Sequence, residues 1–343
     1  METTYTKKIS VICPIYQEQR FISQFLDSII AQDYPKENME VFLIDGMSTD
    51  GTRDIVKSYM QKYTFFKLLD NPMHTVPFAL NNGIRHATGE VVIRLDAHCK
   101  YPNNYFSTLV AQLFKLNADN VGGVWHTIPA NGTTEALAVA IGSSHPFGVG
   151  GSDHKIGATE VKEVDTVPFG CYRKEVFDKI GLFDEELTRN QDDEFNARLI
   201  NHGGKIYLIP SVVIDYTARE NLSKMRKMYY QYGLFKPLVN KKLGSPATIR
   251  QFFPSLFCLG LIMGLFMSIF IPYFAYLYLG IIALYLILGI AIGLQSATKY
   301  RRASLTIMMP YTFLNIHLSY GFGYLKGLYK VLTKQSFQVK LSR

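Results

Sequence analysis

The sequence predicts an α/β domain with a Rossmann-like, mostly parallel sheet, followed by a C-terminal helical membrane region. Two observations lead to this prediction. Short apolar runs alternate with amphipathic stretches from residue 8 to about residue 116, a pattern typical of a parallel sheet covered by helices on both faces. Residues 251–297 contain no Lys, Arg, Asp or Glu, so this part is apolar enough to cross a bilayer. The predicted boundaries are 1–225 for the α/β domain, 226–250 for a juxtamembrane interfacial helix or linker, 251–298 for a transmembrane hairpin, and 299–343 for an amphipathic or third transmembrane helix with a basic tail.

The elements of the α/β domain follow from the period of the apolar residues. Runs rich in β-branched residues predict strands, and apolar residues at intervals of three and four predict helices. After residue 116 the pattern is less regular, until an acidic cluster opens one further helix and a last strand follows it. The predicted strands are 8–15, 40–45, 65–69, 90–96 and 205–210, and the predicted helices are 18–32, 49–60, 77–86 and 191–202.

The membrane region contains two charge-free spans, 252–272 and 274–296, which are close enough to form a tight hairpin. Basic residues bound both outer ends of the hairpin, which indicates that both ends lie in the cytosol. A third stretch, 303–325, contains polar residues and a proline, and we favour an interfacial helix over a third span. The N-terminus has no signal-peptide pattern, so we expect residues 1–250 to stay in the cytosol and the protein to be a multi-pass protein of the cytoplasmic membrane.

Charge and cysteine content exclude several classes of protein. The net charge is +8, and many of the basic residues flank the apolar region, which suits an anionic membrane surface better than a nucleic-acid groove. We therefore expect membrane lipids as partners and no nucleic acid. The four cysteines have no metal-binding spacing, so we expect free thiols in a reducing compartment.

Polar side chains follow three of the predicted strands. Ligands of open α/β sheets bind at the carboxyl ends of the strands, so these side chains are expected to gather at one edge of the sheet. The set is Tyr16, Glu18, Asp45, Ser48, Asp50, Asp96 and His98.

Five ordered motifs of residues 8–220 resemble family 2 glycosyltransferases, which have the GT-A fold. They are Ser10-Val-Ile-Cys-Pro-Ile-Tyr-Gln-Glu, Ile44-Asp-Gly-Met-Ser-Thr-Asp-Gly-Thr, Ala79-Leu-Asn-Asn-Gly-Ile, Arg94-Leu-Asp-Ala-His, and Asn190-Gln-Asp-Asp-Glu-Phe-Asn-Ala-Arg-Leu. The Asp-Ala-His sequence, the Gly-rich loop at Phe147 and the apolar C-terminal part are similar to the succinoglycan-type branch. Asp-Ala-His stands where the family has Asp-x-Asp.

The resemblance implies a site for a nucleotide-sugar donor and a divalent cation, Mn²⁺ or Mg²⁺. Asp45 would accept a hydrogen bond from the uracil ring, although a carboxylate in such a turn also caps helices. Asp96 would contact ribose or metal and His98 would bind metal; the alternative for His98 is a hydrogen-bonding role without metal. The residues expected to bind the donor are Pro14, Tyr16, Glu18, Asp45, Ser48, Asp50, Asn81 and Asp96.

Asp192 is our candidate for the catalytic base, because the resemblance aligns Gln191-Asp192 with the Glu-Asp pair of the family. Inverting transfer needs a carboxylate that removes the proton of the acceptor hydroxyl. Asp193 is the alternative base, and the acidic run is also typical of a helix N-terminus without catalysis.

Several further residues are candidates for contacts with the diphosphate or the acceptor: Gln191, Asp193, His145, Gln231 and Lys236. His145 lies in the Gly-rich segment 143–151, which we interpret as a flexible loop near the acceptor or as a plain surface loop. Gln231 and Lys236 precede the membrane region, where processive synthases have Gln-x-x-Arg-Trp; the Arg-Trp pair is missing here, and an interfacial helix is the alternative. Trp125, the single tryptophan, suits sugar stacking or a core position.

The function that these observations predict is transfer of a hexose from a UDP-sugar, with UDP-glucose favoured, to a lipid-linked saccharide at the cytosolic membrane face. The pathway would build an exopolysaccharide, a capsule or another cell-surface glycan. The alternatives are a processive polysaccharide synthase and a non-catalytic membrane scaffold with a degenerate transferase domain.

Overall fold

The computed structural model describes residues 7–337, and the last residues of the predicted basic tail, 338–343, lie outside this range. The chain divides into two compact units. The sheet unit comprises residues 1–126 and 153–216, and the helical unit comprises 127–152 and 217–343.

The sheet has the strand order β3-β2-β1-β4-β8-β6-β9-β5, with β7 paired to β9. The four strands from β3 to β4 are parallel, and β8 joins β4 antiparallel, as do the pairs β6–β8, β5–β9 and β7–β9 among the later strands. The sheet is therefore mixed, because the strands that extend it beyond β4 join in antiparallel pairs. The strands are β1 (Ile9–Ile15), β2 (Met39–Asp45), β3 (Phe66–Asp70), β4 (Val91–Arg94), β5 (Cys99–Lys100), β6 (Asn120–Ile128), β7 (Lys162–Glu163), β8 (Cys171–Arg173) and β9 (Ile206–Thr217).

Both faces of the sheet are covered by apolar side chains. Alternate residues of β1 enter two separate buried clusters, with Val11 in one and Ile12 in the other, as the period of a strand requires. The predicted strands and helices of residues 8–96 are present with ends shifted by a few residues. The helices of the whole chain are α1 (Ile22–Ile30), α2 (Thr52–Met60), α3 (Val76–His86), α4 (Tyr105–Lys115), α5 (Thr134–Gly142), α6 (Pro146–Val149), α7 (Asp153–Ile156), α8 (Glu175–Ile180), α9 (Gln191–Asn201), α10 (Leu222–Leu243), α11 (Phe253–Phe270), α12 (Pro272–Tyr300) and α13 (Leu305–Leu332).

The helical unit contains two helical segments, Ile249–Phe270 and Pro272–Tyr300, that are long and apolar enough to cross a membrane. The chain breaks between them at Ile271, whose extended backbone precedes Pro272. These are the two spans of the predicted hairpin, by length and composition.

The helix α13 lies against several helices of its own unit. A Cβ atom at Gly323 would lie 2.2 Å from the backbone oxygen of Tyr230 in α10, and one at Gly321 would lie 2.3 Å from that of Pro254 in α11. Glycine is required at these positions because the helix backbones approach so closely. Packing of this kind makes α13 a central helix of the unit, and its depth in a bilayer stays a prediction.

The segment 127–152 belongs to the helical unit, although the sequence predicts it within the α/β domain. Side chains of the C-terminal helices bind its backbone: Arg302 donates to the carbonyl of Gly132 at 2.9 Å, and Arg250 donates to that of Gly151 at 2.8 Å. The apolar pattern does not reveal this grouping, because it depends on contacts between residues more than 90 positions apart.

The two units differ sharply in charge. The sheet unit has 20 Lys and Arg against 26 Asp and Glu, a net charge of −6, whereas the helical unit has 16 against 2, a net charge of +14. The positive net charge of the chain is therefore a property of the helical unit alone.

Candidate active site

The carboxyl ends of β1, β2 and β4 lie side by side, as the sequence predicts. The loops that follow β1 and β2 are hydrogen-bonded to each other: the amide of Gln17 donates to Ser48 Oγ at 2.8 Å and the amide of Glu18 donates to Thr52 Oγ1 at 2.8 Å. The loop after β4 joins them, since His98 Nδ1 lies 3.8 Å from Glu18 Oε1. One edge of the sheet thus gathers residues from all three strand ends.

The side chain of Asp45 is fully buried within a hydrogen-bond network. Its carboxylate accepts hydrogen bonds from the amide and the hydroxyl of Ser48, at 2.9 and 2.5 Å. Arg53 adds a bond of 2.7 Å to the same carboxylate and donates its second nitrogen to Asp70 at 2.8 Å. Asp45 therefore shapes the turn after β2 rather than capping α2, and Arg53 is a partner that the sequence analysis missed.

Tyr16 lies at the surface of this edge, where 40% of the residue is exposed. The ring of Tyr16 contacts Gly46, and a larger residue at position 46 would displace the ring. The ring also meets that of His74 edge to face, with the centroids 6.1 Å apart. His74 is held in turn by the carbonyl of Gly46 at 2.7 Å. Pro14, at the end of β1, is half-buried nearby in the chain. An exposed aromatic ring beside a tight turn suits the packing of a planar base.

Two residues that the sequence predicts to bind the donor, Asp50 and Asn81, form hydrogen bonds with other residues of the protein. Asp50 accepts from the amide of Thr52, the first residue of α2, at 3.1 Å and from that of Gln19 at 3.2 Å. Burial alone would raise the pKa of Asp50, but these hydrogen bonds outweigh it and lower the pKa. The buried amide of Asn81 bonds the backbone of Phe183 in both directions and donates to Glu185. Both side chains hold loops in place.

Arg94 joins the two aspartates that matter most to the predicted chemistry. It is the last residue of β4 and is 8% exposed. Its Nη1 donates to Asp192 Oδ2 at 2.7 Å, and its Nη2 lies 3.3 Å from Asp96 Oδ1. The guanidinium also lies 5.3 Å from the ring centroid of Phe169, within the range of a cation–π contact. Arg94 belongs to the motif Arg94-Leu-Asp-Ala-His, but the sequence alone does not indicate a role for it.

The carboxylate of Asp192 has one oxygen in an ion pair and one oxygen that is buried. Its Oδ1 has no hydrogen-bond partner among residues 7–337, while Oδ2 binds Arg94. Burial raises the pKa of Asp192 to about 6 against the lowering effect of Arg94, and Asp96 and Asp193 add to the increase. A carboxyl with a pKa near 6 is poised to exchange protons near neutral pH.

The start of α9 positions Asp192. Asn190 precedes the helix in a left-handed backbone conformation, so the chain turns sharply before Gln191. Gln191 is buried, and Asp193 follows Asp192 within the first turn. The helix is fixed by Arg198, which pairs with Glu194 at 2.7 Å. The acidic cluster therefore occupies a helix N-terminus, as predicted, and its second residue is the one that faces Arg94.

The ring of Trp125 is covered on one face. It stacks on Tyr216 with ring centroids 4.1 Å apart and planes 6° apart, and Tyr216 lies 6.4 Å from His98. Lys155 lies 5.8 Å from the Trp125 centroid. Since Trp125 also packs against a buried cluster of the sheet, its position at the edge of the core is the one that the structure supports.

The remaining candidates, His145, Gln231 and Lys236, belong to the helical unit. His145 precedes α6 and accepts from the amide of Phe147 at 3.1 Å, and burial lowers its pKa. The predicted flexible loop thus contains a short helical turn. Gln231 is buried in α10, which also contains Lys236. Contacts of these three residues with the diphosphate or the acceptor stay predictions.

The ligands that the sequence predicts for a divalent cation are the carboxylate of Asp96 and the imidazole of His98, and this assignment stays a prediction. Among the described residues there is no group of three or more His, Cys, Asp or Glu side chains that could hold a metal ion. Mg²⁺ and related ions in phosphate sites use one or two protein ligands together with the phosphates of the substrate. An oxygen and a nitrogen ligand at this edge fit an ion that is held jointly with a diphosphate.

Residues 10–181, half of the chain, match the family described as Glycosyl transferase family 2. The chain is a family 2 glycosyltransferase. The predicted family is thereby confirmed, with four of the five motifs inside the matched residues, and the protein is a hexosyltransferase.

Two relatives extend the match into the helical unit. The transferase is 31% identical, over 94% of its own length and 97% of the relative, to the Methanococcus voltae dolichyl N-acetyl-alpha-D-glucosaminyl phosphate 3-beta-D-2,3-diacetamido-2,3-dideoxy-beta-D-glucuronosyltransferase. It is 29% identical to the succinoglycan biosynthesis protein ExoA of Rhizobium meliloti (strain 1021), over 74% of this chain and 76% of that one.

The solved structures confirm the GT-A-like fold of the transferase. The mannosyltransferase PcManGT from Pyrobaculum calidifontis, in complex with GDP-Man and Mn²⁺, superimposes with a TM-score of 0.59 at 23% identity, covering 94% of this chain and 88% of that one. At this identity the likeness concerns the fold alone.

Proposed function

We propose that the protein is an inverting transferase that moves a hexose from a UDP-sugar, with UDP-glucose favoured, to a lipid-linked saccharide. The product would enter the synthesis of an exopolysaccharide, a capsule or another cell-surface glycan. The observation that carries the proposal is the Arg94 bridge, which we define as Asp96, Arg94 and Asp192. It joins the residue expected at the donor diphosphate to the residue expected to act on the acceptor.

Asp192 is the base of the proposed reaction. The partly exposed carboxylate of Asp192 takes the proton of the acceptor hydroxyl while the hydroxyl oxygen attacks the anomeric carbon from the face opposite the diphosphate. The bond from the anomeric carbon to the diphosphate breaks, and the diphosphate leaves with the bonding electrons. Inversion at that carbon follows from a single displacement, so an α-linked donor gives a β-linked product.

Asp96 and His98 would hold a divalent cation, Mn²⁺ or Mg²⁺, at the diphosphate. When bound, such an ion stabilises the negative charge that grows on the leaving group. Glu18, near His98 in the structure, adds a buried carboxylate to the same edge. The negative charge of this edge suits a cation and, without one, would repel a diphosphate.

The nucleoside would bind at the ends of β1 and β2, with its base beside Tyr16. Support comes from the exposed ring of Tyr16 and the tight turn at Gly46. Asp45 is fully buried against Ser48 and Arg53, so a uracil ring that bonds it must displace part of the turn at 46–48. The GDP-mannose complex of the Pyrobaculum neighbour makes GDP the nucleotide against which the UDP prediction must be tested.

The acceptor would be a saccharide on a lipid phosphate. Support comes from the Methanococcus relative, whose name places its acceptor sugar on dolichyl phosphate, and from ExoA, named for succinoglycan biosynthesis. The helical unit adds two helices able to span a bilayer and a net charge of +14 suited to anionic lipid phosphates.

We place the protein in the cytoplasmic membrane with its sheet unit in the cytosol. Bulky thiol reagents added to intact cells should spare a cysteine introduced at exposed Lys57 in the sheet unit and label it after permeabilisation. Labelling before permeabilisation would place the sheet unit outside and contradict the orientation.

The first experiment is calorimetric titration of the purified full chain with UDP and with GDP, each with and without Mn²⁺. Binding of UDP that needs Mn²⁺ and weakens in His98→Ala supports the donor site and justifies a screen of UDP-sugars. Stronger binding of GDP than of UDP would overturn the uridine assignment while leaving the family unchanged.

A second assay separates transfer from donor binding. Asp192→Asn should lose hexose transfer to lipid-linked acceptors extracted from membranes while its affinity for UDP stays within about threefold of the wild type. A ladder of products longer than one added sugar would indicate a processive synthase instead.

A further inference from the structure

We infer that Arg94 is a positioning residue for the base: it fixes the carboxylate of Asp192 through Oδ2 and ties that carboxylate to Asp96. The inference rests on the proposed function, because it gives Arg94 a part in the step for which Asp192 is the base.

The fold explains why Arg94 reaches Asp192. In β4, Val92 lies in the buried cluster that also contains Phe195 of α9. Side chains two residues apart in a strand point to the same face of the sheet, so Arg94 faces α9 as well. Its guanidinium therefore meets Asp192 at the beginning of α9, at 2.7 Å.

The surroundings of the guanidinium leave it few positions. It is buried, lies against the ring of Phe169, and directs one nitrogen to each carboxylate. A buried charge is costly unless it is paired, and the planar arginine fork holds its partners in a fixed geometry. Arg94 therefore sets the distance between the two carboxylates as well as the orientation of Asp192.

The role predicts an effect on turnover rather than on donor binding. The positive charge of Arg94 beside Asp96 opposes a divalent cation there, so removal of Arg94 does not weaken the binding of a cation and its diphosphate. Removal does release Asp192 from its orienting partner. A misplaced base costs rate at the chemical step, where displacements of about 1 Å lower turnover about 100-fold.

A double-mutant cycle on the full chain tests the inference. The assay measures UDP release from UDP-glucose, or from whichever UDP-sugar the wild type hydrolyses, with water as the acceptor. We expect Arg94→Met to lower kcat about 100-fold and to leave the donor KM within about threefold of wild type. In an Asp192→Asn background, Arg94→Met should change the remaining kcat by less than about threefold, because residues that act through one another are not additive.

The outcomes separate the inference from the proposed function. Losses that multiply in the double variant, or a raised donor KM with an unchanged kcat, overturn the role of Arg94 and leave Asp192 as the base. Turnover of Asp192→Asn at the wild-type rate, or no release of UDP by the wild type either with water or with lipid-linked acceptors extracted from membranes, overturns the proposed function itself.

Arg94→Lys is the control for misfolding of Arg94→Met. Arg94→Lys keeps the positive charge, so it should fold, bind UDP with wild-type affinity and retain more turnover than Arg94→Met. If Arg94→Met fails to bind UDP, the cycle is run with Arg94→Lys.

Arg94→Ala should regain turnover by about fivefold or more when guanidinium is added, because an orienting ion pair is restored. Arg94→Ala combined with Asp192→Asn should not respond. An equal response of both variants would contradict the inference.

Discussion

Two arginines of the sheet unit each join two aspartates, and their surroundings differ. The first set, which we call the Arg53 bridge, consists of Asp45, Arg53 and Asp70. The side chain of Asp45 is completely buried whereas that of Asp70 is 59% exposed, and the two ion-pair distances are nearly equal at 2.7 and 2.8 Å. Ser48 donates two further hydrogen bonds to Asp45. Both oxygens of Asp45 are therefore engaged.

The Arg94 bridge has the same composition and an unequal arrangement. Arg94 lies 2.7 Å from Asp192 and 3.3 Å from Asp96, and both carboxylates are partly exposed. Asp192 keeps one oxygen without a partner among residues 7–337. The comparison teaches that an Asp-Arg pair alone does not indicate a role. A fully buried carboxylate with both oxygens hydrogen-bonded shapes a turn, whereas a partly exposed carboxylate with a raised pKa can take a proton.

Loss of the Asp192 carboxylate should have the largest effect on the rate of transfer. We expect Asp192→Asn to lower the rate of transfer by about 1,000-fold or more, within the range that a general base contributes. Steady-state rates with a UDP-sugar and a membrane extract as acceptor would measure it.

The matched control is Asp193→Asn, which changes the next carboxylate of the same helix turn. It should lose far less activity, because Asp192 is the residue paired with Arg94. The reverse order of the two variants would move the base to Asp193 and remove the contrast between the two bridges.

Removal of divalent cations should give the next largest effect, and it acts at the Asp96 end of the Arg94 bridge. Excess chelator should lower turnover about 100-fold, because the charge of the leaving diphosphate is then no longer neutralised by the ion. Added Mn²⁺ should restore the rate in the wild type and much less in His98→Ala. Full turnover in chelator would indicate a metal-independent site.

The acid limb of the pH profile should report Asp192. Because the group must be ionised to accept a proton and its pKa is raised to about 6, kcat/KM should fall about tenfold per pH unit below pH 6 and level off above it. The residual activity of Asp192→Asn should lack this limb. A limb centred near pH 4 would mean that Asp192 is not the titrating base.

The fold was predictable where the chain repeats a simple pattern. The strands ending at Ile15, Asp45 and Arg94 and their gathering at one edge follow from apolar runs closed by polar clusters. The two apolar spans follow from the absence of charge over residues 251–297. The segment 127–152 was not predictable, because its place in the helical unit depends on contacts such as Arg302 with Gly132.

The acidic residues of the site could be predicted from the sequence, whereas the residues that pair with them could not. The motifs include Asp45, Asp96 and Asp192, but they do not show which arginine pairs with Asp45 or that Arg94 reaches Asp192. Arg94 and Asp192 are 98 residues apart, and no local spacing relates them. The hydrogen bonds that commit Asn81 to the loop at Phe183 likewise join distant positions. Pairing of this kind is a property of the folded sheet.

Disruption of the Arg53 bridge should give the smallest effect, on stability and nucleotide affinity rather than on chemistry. Arg53→Met leaves the buried Asp45 carboxylate with hydrogen bonds from Ser48 alone. We expect the free energy of unfolding to fall by about 1–2 kcal/mol, a modest loss because the Arg53 side chain is partly exposed to solvent. We expect a melting temperature lower by about 2–4 °C and a UDP affinity weaker by a few-fold, with kcat at saturating donor near that of the wild type.

The control for this variant is Arg85→Met, which removes an exposed pair with Glu185 at 3.6 Å and should change stability by less than about 0.5 kcal/mol. If Arg53→Met instead lowers kcat as Arg94→Met is expected to do, the two bridges are equivalent in the reaction. The fully hydrogen-bonded carboxylate of Asp45 would then take part in catalysis, and the partial exposure and raised pKa of Asp192 would not be what distinguishes the base.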